Sequence, residues 1–315
     1  MTPGRQPRES LSATELRSAY PFLDATDQDM VVGGDLDALL SAAFLSDRLD
    51  WTVVGFYTGF QEVYYTDRTA ARDAVWVDLD VSRPTIRSVG HHIVRGTADE
   101  VLAGLERSCN LNEVRGVSRE QFTRKYPLGT IHFLLWLHGA ADFSPLQRAL
   151  LLAADSAWIN GQSHNYGDNV SEWVENCLPM DWLVDALEEI QTEAFETRIR
   201  DEVYPRLETA GFSHGGTSGG TTSSHHSLNG WQCEFSDPRT KKVQALVDRI
   251  GAVMGWDTFE IPSDLVRIRG DRDSIDYSTM RSRYGDLDGL LREEDVFSYA
   301  IPSYRTVNYT TGIDL

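Results

Sequence analysis

Long apolar runs are missing from this chain of 315 residues. The longest, around Ile131 to Leu137, falls far short of the roughly 20 residues that cross a bilayer, so no membrane partner is expected. Cysteine is scarce: Cys109, Cys177 and Cys233 are odd in number and widely spaced, which argues against a disulfide framework and fits reduced thiols in a cytoplasmic protein. The opening MTPGRQPRES has no apolar segment behind it of the kind a secretory signal needs. Positive charge is also short, with 29 Lys and Arg against 48 Asp and Glu and a formal charge of -19. Duplex DNA is held mainly by Lys and Arg neutralising phosphates, so binding along long duplexes is not expected. What remains is 41% hydrophobic, 10% aromatic and 24% charged, the composition of a folded globular protein large enough for one big domain or two ordinary ones.

Along the chain, residues 1–10 read as a flexible tail, and Ser12 with Glu15 can form a capping box. Short Val-rich runs then alternate with helical spacing. Strands are expected at Asp29 to Gly34, Trp51 to Tyr57, Ala74 to Val77 and Ile86 to Val89, with a helix at Asp37 to Leu45. This pattern predicts an α/β fold: a parallel sheet with helices on both faces, whose ligands gather at the C-terminal strand ends. Helices are further expected near Thr97 to Arg107, Gly129 to His138, Pro145 to Trp158, Met180 to Leu207 and Lys241 to Met254. Pro205 should end or kink the fourth of these. His214 to His226 is rich in Gly, Ser and Thr and reads as a mobile loop or a boundary. The domain reading is a metal-binding domain over 1–178, a connecting helix over 179–210, and a smaller α+β C-terminal domain over 211–315.

Acidic residues fall where that sheet would bind ligands. Asp35 and Asp37 stand between the first strand and its helix, Asp78 and Asp80 follow the third strand, and His91 with His92 follow the fourth. Asp155 adds a carboxylate from a later helix. Several carboxylates with one or two imidazoles can hold two divalent ions about 3.5–4 Å apart, the arrangement used in phosphoryl hydrolysis. Mixed oxygen and nitrogen donors favour Mn²⁺, or Mg²⁺, over calcium. Each element also has a plain structural use. An Asp at a helix start commonly caps it, and Arg115, Arg119, Arg124 and Lys125 form the one notable basic cluster, which a solvated face would explain. Trp158, Trp173 and Trp182 read as core packing.

The order Asp35-Leu36-Asp37-Ala38-Leu39-Leu40-Ser41, then Val77-Asp78, then Gly90-His91-His92, then Ala154-Asp155-Ser156, resembles the DHH phosphoesterase superfamily over roughly residues 28–160. That superfamily includes RecJ-like exonucleases, oligoribonucleases, cyclic-dinucleotide phosphodiesterases and family II pyrophosphatases. The resemblance implies Asp35, Asp37, Asp78, His91 and Asp155 as metal ligands. It places His92, beside His91, at the scissile phosphate, and leaves Asp80 as an alternative ligand or a support behind the ligands. It also implies a DHH-associated substrate domain at the C-terminus, for which His214, Gly215, Gly216, His225 and His226 are the candidates. Three positions depart from the pattern: Ala38 for Gly, Val31 for a further His, and Gly90 for the Asp of Asp-His-His. If activity survives Gly90, another acceptor must orient the histidines, with Asp80 the candidate, and Gly90→Asp should then be mild. The expected function is two-metal hydrolysis of a nucleotidic phosphodiester, at a single-strand end or in a short oligonucleotide. A catalytically degenerate module that binds a nucleotide or protein, and a small-molecule phosphatase or pyrophosphatase, are the alternatives. Oligomeric state stays open.

Overall fold

A computed structural model describes residues 11–100, 102–162, 167–212 and 230–315. They gather into two compact units, each assembled from separated stretches: 1–33, 52–126 and 264–315 form the first, 34–51 and 127–263 the second.

The first unit holds both sheets. Strands β1 (Asp29–Val32), β2 (Thr52–Thr58), β3 (Glu62–Tyr65), β4 (Val75–Val77), β5 (Arg87–Gly90), β6 (Ser108–Asn110) and β7 (Val266–Arg269) form a seven-stranded sheet in the order β6-β5-β4-β1-β2-β3-β7. The run from β6 to β2 is parallel, while β3 and β7 are antiparallel additions. The Val-rich strands fit this topology because central parallel strands are buried on both faces. β3 was not legible in the pattern. It returns from β2 through a tight turn in which Gly59 and Phe60 both have φ near +60°, a type I′ geometry normally signalled by Asn-Gly. The chain order reverses at β1, which lies between β2 and β4. Open α/β sheets bind their ligands in the crevice at such a reversal, beyond the C-terminal strand ends.

One face of this sheet packs around Trp76, whose indole donates to the Ala71 carbonyl and whose ring meets Phe297 at 5.3 Å. Val31 is buried in the same apolar cluster with Val54, Tyr57 and Val63. Burying a side chain of that size contributes roughly 1.5–3 kcal/mol. A second sheet is antiparallel, with β10 (Thr306–Thr311) between β8 (Asp271–Asp276) and β9 (Ser298–Ser303). Residues 264–315 therefore build the unit that carries the parallel strands, where the sequence suggested a C-terminal domain over 211–315. The deciding contact is the pairing of β7 with β3, across some 200 residues of chain, which no local pattern reveals.

The second unit is helical. The Leu36–Leu49 helix is buried along most of its length and packs on the Thr130–Leu137 and Lys241–Met254 helices. Trp158, Trp173 and Trp182 are all buried, as their core reading requires. Helix expectations fail at Thr97 to Arg107 and at Met180 to Leu207, and the one at Pro145 to Trp158 is broken at residues 154–156. Residues 97–100 and 102–107 hold bends and turns, because the Glu100 carboxylate folds back to accept the backbone N–H groups of Gly96 and Thr97 and Gly104 takes a φ of +90°. The single helix expected over Met180 to Leu207 is broken into Asp181–Glu189 and Glu193–Arg198. Thr192 ends the first by capping the second through the Phe195 N–H. Pro205 does not terminate anything: a π-helical turn at Ile199–Val203 precedes it and the helix continues over Tyr204–Thr209.

All three cysteines are buried and unbridged. Burial pushes the Cys109 and Cys233 thiols well above their ordinary range. An acid whose pKa is raised by folding holds its proton longer in the native state, so native stability should fall as pH rises past the unfolded thiol value of about 8.5. The slope is about 1.4 kcal/mol per pH unit for each such thiol. Thiol labelling at pH 8 should be slow in the native protein and release the full complement of three equivalents once denaturant is added. Rapid native labelling would contradict this packing.

Candidate metal-binding site

In the first unit the candidate groups line the C-terminal ends of β4 and β5. Asp78 follows β4 with a left-handed backbone, φ 62°, a conformation Asp tolerates better than most residues because its short polar side chain can hydrogen-bond locally. The chain then turns so that the Leu79 N–H donates to the Val89 carbonyl, and this directs Asp80 back over β5. Two carboxylate–imidazole pairs result. His91 Nδ1 lies 3.3 Å from Asp78 Oδ1, and His92 Nδ1 lies 3.1 Å from Asp80 Oδ2. The two rings stack with centroids 4.8 Å apart and planes 18° off parallel.

Asp80 places a carboxylate directly against Gly90. A Cβ built on Gly90 would sit 2.8 Å from both Asp80 carboxylate oxygens and 2.8 Å from the Leu79 carbonyl oxygen. The space that a side chain at position 90 needs is thus filled by a carboxylate from position 80. That carboxylate accepts the His92 backbone N–H at 3.2 Å, the His92 ring nitrogen at 3.1 Å and the Asn110 amide at 2.7 Å. Its side chain is 1% exposed while that of His92 is 41% exposed, so the acid is a buried anchor and the imidazole reaches solvent. With the carboxylate as acceptor, the neutral His92 ring carries its proton on Nδ1 and presents Nε2 outward. The sequence reading had Gly90→Asp as a mild change. The geometry overturns that, since the new side chain would collide with an anion already in place.

Two residues that the sequence reading missed hold this arrangement. Asn110, at the end of β6, donates to Asp80 and to the His92 carbonyl while its Oδ1 caps the Leu111–Arg115 helix through the Glu113 N–H. Asn112 donates to the His91 carbonyl and accepts the Tyr126 N–H. The only sequence signal was Asn110-x-x-Glu113, which resembles a capping box and points to a helix start rather than to a site.

In the second unit Asp35 and Asp37 stand at the head of the Leu36–Leu49 helix. Asp35 is its N-cap, accepting the Ala38 N–H at 3.0 Å, so Ala38 serves as an ordinary capped residue. Asp37 is buried and accepts the N–H groups of Thr130 at 2.6 Å and Ile131 at 3.0 Å, capping the Thr130–Leu137 helix. Gly129 permits this approach, because a Cβ there would fall 2.5–2.7 Å from the Asp37 carboxyl group. Asp155 lies in the 154–156 turn, where it breaks the helix expected over Pro145 to Trp158 with a φ of 51°, and the Leu36–Leu49 helix packs against that turn. The neighbouring Ser156 accepts from Gln232 Nε2 at 3.1 Å, and Gln232 in turn accepts the Leu36 N–H at 2.8 Å. Each unit therefore gathers its own share of the predicted residues. Val31 is core. His214, Gly215, Gly216, His225 and His226 lie outside the described residues.

Comparison with family models, curated proteins and solved structures finds no match to the chain.

Proposed function

We propose that this protein is a metal-dependent phosphoesterase that hydrolyses a nucleotidic phosphodiester, at a single-strand end or in a short oligonucleotide. One observation carries the reading: two carboxylate–imidazole pairs, Asp78–His91 and Asp80–His92, stand at the C-terminal ends of adjacent parallel strands beside the point where the strand order reverses. In the first unit Asp78 and His91 offer a carboxylate and an imidazole to a metal ion, and in the second Asp37 offers a buried carboxylate. Asp35 and Asp155 are the further carboxylates for a second ion. Oxygen-rich sets with an imidazole suit Mn²⁺ or Mg²⁺, and such ions supply a water of lowered pKa and neutralise phosphate charge.

The chain's own contribution is positional and electrostatic. Asp80 and Asn110 fix the His92 ring so that Nε2 faces outward, and with both ring nitrogens protonated it would donate to a phosphate oxygen that gains charge as the ester bond breaks. Asp78 fixes His91, and Asn112 fixes the backbone between them.

Asp37 supports a second reading. Two backbone N–H groups already bind its carboxylate, as they would in a residue kept only to cap a helix, and this favours a noncatalytic module that binds a nucleotide or a protein. A screen with Mn²⁺ over single-stranded DNA, short RNA, cyclic dinucleotides and pyrophosphate separates the readings. Turnover of an oligonucleotide is the expected result. Turnover of pyrophosphate alone would make the protein a small-molecule phosphatase, and silence on all four would leave the binding module.

A further inference from the structure

We propose that the face built by Phe122 and Tyr304 in the sheet-bearing unit is a docking surface for a single strand of nucleic acid. The inference takes its substrate class from the phosphoesterase reading and adds a place where the polymer is held. Tyr304 sits at the tip of the β9–β10 hairpin with 45% of its surface exposed, one of two large hydrophobic side chains exposed among the described residues. Its ring meets Phe122 at 5.3 Å with planes 45° apart.

The exposure is not a loose end. Arg119 donates to the Tyr304 carbonyl at 2.9 Å while its guanidinium stacks 3.8 Å from the Tyr277 ring, and the Arg305 N–H donates to Ser303 Oγ at 3.2 Å. These contacts fix the backbone of the turn that carries the ring, and an exposed aromatic ring costs solvation in the free protein and offers a π-face to a partner. The charge beside it is positive. Residues 119–125 read REQFTRK, three cations against the single acid Glu120, in a chain whose net charge is -19. Lys125 Nζ lies 4.9 Å from the Phe122 ring centroid, and Arg124 is exposed on the same turn. Cations beside the exposed Tyr304 ring, which the buried Phe122 backs, are the combination that binds single strands, with a base stacking on the ring and phosphates meeting the cations.

Continuity with the proposed site supplies the direction. The segment that carries Phe122 and Lys125 runs directly into Tyr126, whose ring meets His91 edge-on at 6.0 Å and whose N–H binds Asn112. A strand stacked on Tyr304 is therefore led along this segment toward the paired histidines.

The test is fluorescence anisotropy with labelled 12-residue oligo-dT and oligo-U on the full chain in EDTA, so that binding is read without hydrolysis. The wild type should bind one or both single strands, the tighter one naming the sugar, and should bind a duplex of equal length more weakly. Tyr304→Ala should weaken single-strand binding about 5- to 100-fold, the loss of one stacked base, while Tyr304→Phe keeps it. Lys125→Gln should flatten the dependence of log K on log salt by about 0.7. No binding, equal duplex binding, or an unchanged affinity in Tyr304→Ala would overturn the proposal. Binding in EDTA with no hydrolysis once Mn²⁺ is supplied in excess leaves this surface standing and sinks the enzyme reading. Mn²⁺-dependent hydrolysis with wild-type affinity in Tyr304→Ala does the reverse.

Discussion

Replacing Asp80 with Ala is expected to weaken Mn²⁺ binding by roughly 10- to 100-fold, the usual loss when a support behind metal ligands is removed. It should also lower stability by about 1–3 kcal/mol, because the part-buried His92 N–H loses its acceptor and the Asn110 amide loses one of two. The informative comparison is with Gly90. Gly90→Asp alone forces a Cβ to within 2.8 Å of both Asp80 oxygens and brings a second carboxylate beside the first, so it should be at least as damaging as Asp80→Ala. Combined, the two changes vacate position 80 and refill the same space from position 90. Their effects should then be strongly nonadditive, the double variant recovering part of both stability and metal affinity. Urea unfolding and Mn²⁺ calorimetry on the three variants measure this. Additive losses would show that Asp80 and Gly90 do not compete for one carboxylate position.

Asp78→Asn should have the largest effect on activity with the smallest effect on fold. Asn populates the left-handed region about as readily as Asp, so the φ of 62° at the end of β4 is kept and the melting temperature should stay close to wild type. The lost negative charge removes a proposed ligand and the anion facing His91 Nδ1. Mn²⁺-dependent hydrolysis should fall by more than roughly 100-fold, beyond what loss of an indirect support gives. A variant that folds normally and retains activity would remove Asp78 from the chemistry.

Much of this arrangement was legible in the sequence because it depends on local pattern. The Val-rich runs became β1, β2, β4 and β5, and the apolar spacing at Lys241 to Met254 became a helix with those bounds. Asp35, Asp37, Asp78, Asp80, His91 and His92 could be singled out because strand ends and helix heads can be read from periodicity and caps. The pairing partners could not be read. That Asp80 would serve His92 was expected only as a substitute for a missing acid. That its carboxylate fills the volume over Gly90 depends on the backbone turn at Asp78 and on Asn110 approaching from β6, a strand too short at Ser108–Asn110 to announce itself. Long-range pairings were equally silent, as with β7 joining β3 and drawing the C-terminal residues into the first unit. The failed helix at 97–107 shows the opposite error, where reasonable local spacing lost to a side chain that closed on its own backbone.

The most direct test of the central claim is isothermal titration of the purified, metal-stripped protein with Mn²⁺ at neutral pH, wild type beside Asp78→Asn. The account predicts saturable binding of up to two ions to the wild type and a loss of at least one ion, or of more than roughly 100-fold in affinity, in the variant. Absence of Mn²⁺ and Mg²⁺ binding in the wild type, or identical isotherms for the two proteins, would contradict it.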